Sequence, residues 1–153
     1  MTRRFSPSRV LAIDTNILVK AILGLRLGEA LATVSRHRTL VASAGTAREL
    51  RLVVARLNPS KSGVAANLLG AMEVADASAY AANLDTARSA LLNAPASRNG
   101  STRDAHVLAL AWTYDADIWS HDRDFAGTGW PSWSSANLAA ALNEEAAASI
   151  VQP

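Results

Sequence analysis

Short apolar runs alternating with longer helical patterns constrain this chain more than any other feature. Val10–Ile13 reads as a buried strand, followed directly by a helix over residues 15–24 that ends near Gly24, and by a second helix over 28–37. Thr39–Ser43 is β-branched and apolar, a second strand, and the pattern is already β-α-α-β. A helix from Thr46 to Leu57 is broken by Asn58-Pro59-Ser-Lys-Ser-Gly63. The spacing then predicts a short helix over 64–71, a strand over 72–76 and one long alanine-rich helix over 78–92. A loop over 93–100, with Pro95 and Asn99-Gly100 as breakers, leads to a helix over 105–112 that is apolar almost all round and therefore buried. A strand over 117–120, a loop over 121–129, an edge strand over 132–134 and a closing helix over 137–148 complete the pattern. Parallel strands need crossover connections, so five short strands separated by helices imply an α/β protein with a mostly parallel sheet covered on both faces.

Length and composition agree. The 153 residues fit one domain over 1–153, and half are hydrophobic while only 5% are aromatic. The core must then be built from Ala, Leu, Val and Ile, which suits helices packed closely on a sheet. There are no cysteines, which excludes disulfides, thiolate metal sites and a cysteine nucleophile, and fits a reduced cytoplasm. The basic start Met1-Thr-Arg-Arg resembles that of a signal peptide, but Asp14 and Lys20 interrupt the apolar stretch after it. Nothing approaches a membrane span, so a cytoplasmic protein without a membrane partner is expected. A net charge of +2 permits a phosphate-bearing partner without demanding one.

Four acids stand out by position. Asp14 closes the first strand, where open α/β sheets bind ligands, and Asn16 two residues on offers a hydrogen-bonding group to hold it. Glu49 and Asp104 stand at helix starts, and Asp122 lies just beyond the fourth strand. Each has a bland account. Thr46-x-x-Glu49 and Ser101-x-x-Asp104 are capping-box patterns, which favour an acid at the third position whatever the function, and Asp122 in His-Asp-Arg-Asp reads equally as a turn acid. The joint reading is different. Parallel strands point their carboxyl ends to one edge, and the helices that follow them open at that edge, so the four acids can converge. Packed together they repel and raise one another's pKa, which calls for a cation. Oxygen ligands without Cys or a His pair select a hard divalent ion, Mg²⁺ or Mn²⁺, and such ions support phosphodiester hydrolysis.

Other chemistries lack their signatures. Neither Gly-x-x-x-x-Gly-Lys nor Gly-x-Gly-x-x-Gly occurs, and there is no Gly-x-Ser-x-Gly elbow. His37, His106 and His121 show no metal-ligand spacing and read as structural or surface groups. Trp112 and Trp119 read as core, and Trp130 and Trp133 as packing for the last strand or platforms for a base.

Leu-Ala-Ile-Asp14-Thr-Asn, Glu49 in Ala-Arg-Glu-Leu, Asp104-Ala-His-Val-Leu-Ala-Leu-Ala and Ile-Trp-Ser-His-Asp122-Arg-Asp124-Phe together resemble the PIN domain family over about residues 10–142. The resemblance implies a three-layer α/β/α sandwich with a five-stranded sheet in the order 3-2-1-4-5, and Mg²⁺- or Mn²⁺-dependent ribonuclease activity. It implies that Asp14, Glu49, Asp104 and Asp122 form the acidic quartet, that Asp14, Asp104 and Asp122 hold metal with Asp124 as a further candidate, and that Asn16 and Ser120 support them. Small members of the family are commonly VapC-like toxins paired with a VapB-like antitoxin, so RNA, an antitoxin and a second copy of the chain are the expected partners. Arg103, Arg123 and Lys61 are candidates for contacts to RNA phosphates. A stand-alone RNA-processing nuclease shares the same site, and a non-catalytic RNA- or protein-binding module would keep the fold and use the acids only as helix caps.

Overall fold

The computed structural model describes residues 6–93, 102–123 and 125–151. The loop expected over 93–100 falls, apart from Asn93, outside the described residues, as do Ser101 and Asp124.

Among the described residues five strands, β1 (Val10–Ile13), β2 (Thr39–Ser43), β3 (Glu73–Ala75), β4 (Asp117–Trp119) and β5 (Ser132–Trp133), form one sheet in the order β3-β2-β1-β4-β5. Every pairing is parallel. The order is the one the family resemblance implied, with β1 and β4 side bys side at the centre. The helices are α1 (Thr15–Leu23), α2 (Leu25–His37), α3 (Ala44–Leu57), α4 (Ser62–Gly70), α5 (Ala77–Tyr80), α6 (Leu84–Asn93), α7 (Ala105–Tyr114) and α8 (Ser135–Val151).

The three layers follow from strand alternation. Leu11, Ile13, Leu40, Ala42, Trp119 and Trp133 face one way and pack with buried residues of α1 to α4 and α8, such as Ile17, Leu31, Leu50, Leu69 and Leu138. Ala12, Val41, Ala75 and Ile118 face the other way, against Ala87 and Leu91 of α6 and the apolar body of α7. Each fully buried Leu or Ile here stabilises the fold by about 1.5–3 kcal/mol through removal from water, which is why the central strands are apolar on both faces. The tryptophans pack: Trp119 is fully buried and Trp133 nearly so, and the Trp130 indole N–H donates to the Ala116 carbonyl at 2.7 Å.

The helix expected over 28–37 begins at Leu25 and the one expected over 137–148 runs over Ser135–Val151, and three further expectations need correction. The helix expected to begin at Thr46 begins at Ala44, because Ser43 is its N-cap and its hydroxyl accepts from the Thr46 amide at 2.8 Å. The long helix expected over 78–92 is α5, a 3₁₀ turn over Ala81–Asn83, and α6. Burial of Tyr80, whose hydroxyl accepts from the Gly45 amide at 3.4 Å, and the Asn83 to Thr113 side-chain bond at 3.0 Å divide a segment whose alanine content favours continuous helix. The helix expected to stop at 112 continues to Tyr114, where Asp115 adopts a left-handed conformation (φ 51°) and ends it.

Candidate functional site

The site grows from the carboxyl edge of the sheet. Ile13 pairs in register with Trp119, and the Asp14 amide continues the ladder by donating to the Trp119 carbonyl at 3.0 Å. The next residue of each strand is therefore Asp14 on one and Ser120 on the other. Asp14 is only 2% exposed, and both its carboxylate oxygens are engaged. Oδ1 accepts from the Thr15 amide at 2.8 Å, so Asp14 also caps α1, and Oδ2 accepts from the Ser120 hydroxyl at 2.7 Å. The same hydroxyl accepts from the Asp122 amide at 2.9 Å. Ser120 thus links Asp14 to the backbone that carries Asp122. Asn16 is exposed, and the bonds that hold Asp14 come from Thr15 and Ser120.

Glu49 and Asp104 reach the same place from α3 and α7. Neither makes a side-chain capping bond. Ser43 rather than Thr46 caps α3, which places Glu49 beyond the first turn. Asp104 itself occupies the N-cap position of α7, and its side chain makes no capping bond. Its carboxyl is pushed up to about 7, first by burial and then by the negative charges of Asp14, Asp122 and Glu49, with Arg103 acting against them. Burial also raises Asp14, and Asp122 and Glu49 add to the rise, while the bonds from Ser120 and Thr15 oppose it. The four predicted acids therefore feel one another, and a cation among them would relieve the strain of like charge.

His106, read from sequence as structural, belongs to this cluster. Glu49, Asp104 and His106 each offer an atom that lies within 4.8 Å of those of the other two. His106 Nδ1 is 2.6 Å from the Ser43 hydroxyl, and Nε2 faces Glu49 Oε1 at 3.6 Å. Burial lowers its pKa against the opposing influence of Glu49. The one available sequence signal was helical position: His106 lies two residues after Asp104, at the start of the same helix. Gly45 makes room for the ring, since a Cβ there would sit 3.0 Å from His106 ring atoms.

Beside the acids, Arg48, Tyr80, Arg88, Arg103 and His106 line a cleft between α3, α5 and α7. Arg103 and Arg123 are exposed. Lys61, expected at the rim, instead donates to the Ile22 carbonyl at 3.1 Å, at the end of α1 far from Asp14. Among the described residues no helix is long and apolar enough to cross a membrane.

These features meet a match from outside the chain. A sequence model of the PIN domain covers residues 12–143, and the protein belongs to the PIN domain family. Solved structures share the fold. One is VapBC2 from Rickettsia felis bound to a DNA fragment from its promoter, at 16% identity and a TM-score of 0.61, covering 82% of this chain and 98% of that one. FitAcB from Neisseria gonorrhoeae is 22% identical with a TM-score of 0.60, covering 84% of this chain and 99% of that one. Mycobacterium tuberculosis VapC20, described as a toxin that cleaves the sarcin-ricin loop, is 16% identical with a TM-score of 0.58, covering 78% and 95%. No curated protein matches the sequence significantly.

Proposed function

We propose that this protein is a divalent-metal-dependent endoribonuclease and the toxin of a VapBC-type pair. The observation that carries the reading is that Asp14, Asp122 and Glu49 lie close enough to Asp104 to add to the rise that burial gives its carboxyl, which reaches about 7, although neither Glu49 nor Asp104 makes a capping bond. Carboxyls raised by burial and by like charges cluster at catalytic sites, which favours the nuclease over a non-catalytic module.

Asp14, Asp104 and Asp122 are the proposed metal-holding residues, with Asp124 as a further candidate, and Glu49 assists them through a second ion or a bound water. Mg²⁺ or Mn²⁺ bound there would neutralise charge on the phosphodiester and lower the pKa of attacking water. The chain's own part is preorganisation. Ser120 and Thr15 fix both oxygens of Asp14, so that carboxylate has one orientation before any substrate arrives. Glu49, whose side chain is partly exposed, is placed to accept a proton from water. Arg48 and Arg103 in the adjoining cleft supply positive charge for RNA phosphates.

The toxin reading draws on relatives of the same fold, several of them solved as toxin–antitoxin complexes named VapBC2 and FitAB. A VapB-like antitoxin would inhibit by placing an arginine or a bulky residue among these carboxylates. Exposed Leu52 and Leu57 on α3 and Val64 on α4 favour a homodimer, and the protein would act in the cytoplasm. The test is RNA cleavage with Mg²⁺ by the wild type and Asp14→Asn, each with and without the product of the adjacent reading frame. Loss of cleavage in the folded variant is expected; undiminished cleavage overturns the assignment. Growth arrest on induction that no neighbouring small protein relieves would remove the toxin role and leave the nuclease.

A further inference from the structure

The acidic cluster contains a ring nitrogen that has no hydrogen-bond partner among the described residues. This is His106 Nε2, which is buried and, at 3.6 Å from Glu49 Oε1, too far for a hydrogen bond to it. A buried imidazole nitrogen left unpaired costs free energy unless something occupies the space before it. The ring is nonetheless held in place. Its side chain is only 14% exposed, Nδ1 lies 2.6 Å from the Ser43 hydroxyl, and a Cβ at Gly45 would sit 3.0 Å from ring atoms.

The Ser43 contact allows the tautomer that leaves Nε2 free to ligate. Ser43 Oγ already accepts the Thr46 amide at 2.8 Å, and a hydroxyl oxygen has a second lone pair for an N–H from Nδ1. With the proton on Nδ1, the Nε2 lone pair faces Glu49 Oε1 at 3.6 Å. This is the arrangement of a ligating histidine, whose outer N–H is donated to an acceptor that fixes ring and tautomer. The three candidate atoms lie within 4.8 Å of one another. Two oxygen or nitrogen ligands on one small divalent ion, each about 2.1 Å from it, are at most about 4.2 Å apart, so a small rotation of the partly exposed Glu49 side chain closes the set.

We propose that Glu49, Asp104 and His106 form a mixed oxygen–nitrogen cation position, with His106 Nε2 as a direct ligand and Ser43 as the residue that orients it. The inference rests on the nuclease reading of the acidic site and adds a prediction about the ion. Mg²⁺ prefers an all-oxygen octahedron rich in water, whereas imidazole suits first-row transition ions, so this position takes Mn²⁺ in preference to Mg²⁺.

The experiment measures the metal rather than turnover. Pulsed electron paramagnetic resonance of Mn²⁺ added to the full chain reads ¹⁴N coupling directly, and calorimetry gives Mn²⁺ and Mg²⁺ affinities for the wild type and His106→Gln. Wild type is expected to show histidine nitrogen coupling that disappears in His106→Gln, which also separates His106 from His121. Mn²⁺ affinity should fall about tenfold or more in the variant, with Mg²⁺ affinity changed far less. Mn²⁺ bound without nitrogen coupling, or coupling that survives in His106→Gln, overturns this inference and leaves the nuclease reading standing. Failure of the wild type to bind Mn²⁺ at all overturns both. The wild-type spectrum decides the matter even if the variant folds poorly.

Discussion

The hydroxyl of Ser120 donates to Asp14 Oδ2 at 2.7 Å across a sequence separation of 106 residues. That one bond joins the ends of the two central strands and, through the Asp122 amide, ties a second acid to the first. It exists because β1 and β4 are neighbours in a parallel sheet and both finish at the same edge.

Ser120→Ala removes the donor to a buried carboxylate and the acceptor of the Asp122 amide. A loss of about 1–3 kcal/mol is expected, the cost of leaving buried polar groups unpaired. The Asp14 carboxyl should also rise further, since the Ser120 bond holds it down. Urea denaturation checks the first effect and carboxyl-carbon NMR titration of Asp14 the second. A variant as stable as the wild type, with an unmoved Asp14 titration, would contradict both.

Stability should depend on pH through Asp104 in a defined direction. Its carboxyl has a reference value of 3.8 and is pushed up to about 7 in the folded protein, so the folded state holds the proton more tightly. The favourable contribution is complete below about 4 and is lost as pH rises to about 7, beyond which it is flat. Asp104→Asn removes that loss. By pH 8 the metal-free variant should be more stable than the wild type by about 1 kcal/mol, well under the linkage maximum because the group is partly exposed and screened. Comparing the two proteins by denaturation at pH 5 and pH 8 reads the difference, which added Mn²⁺ should reverse by stabilising only the intact cluster.

Gly45→Ala and Gly63→Ala should have opposite signs. A Cβ at Gly45 meets His106 ring atoms at 3.0 Å, whereas one at Gly63 meets nothing within 4 Å. Overpacking is expected to destabilise the first by about 1–3 kcal/mol, and helix propensity to stabilise the second by up to about 1 kcal/mol. Thermal melts of both variants decide it, and a stabilised Gly45→Ala would mean that the ring is free to move aside.

Arg103→Ala should act twice. The Arg103 charge opposes the rise of Asp104, so removing it pushes that carboxyl higher still. If Arg103 also meets RNA, the variant's affinity should weaken at low salt and its salt dependence become shallower by about one phosphate contact. Filter binding of RNA across a salt series to an Asp14→Asn background, which removes cleavage, measures the second effect.

The sequence by itself determined the alternation of strands and helices, the parallel sheet and the strand-end position of Asp14, because these depend on local periodicity and on the apolar character of residues buried on two faces. It also placed Glu49, Asp104 and Asp122 near helix starts or strand ends, but left each open to a local explanation. For Glu49 only the tertiary structure removed the capping-box explanation, since the choice of Ser43 over Thr46 as the cap of α3 depends on where β2 ends against its neighbours. The split of the segment after Asp76 into α5 and α6 was likewise invisible in its alanine content, because the burial of Tyr80 against Gly45 is a contact between distant residues. His106 shows the same limit. Its environment is made by Ser43, Gly45 and Glu49 from another part of the chain, and a lone histidine acquires a chemical role only when folding brings such partners to it.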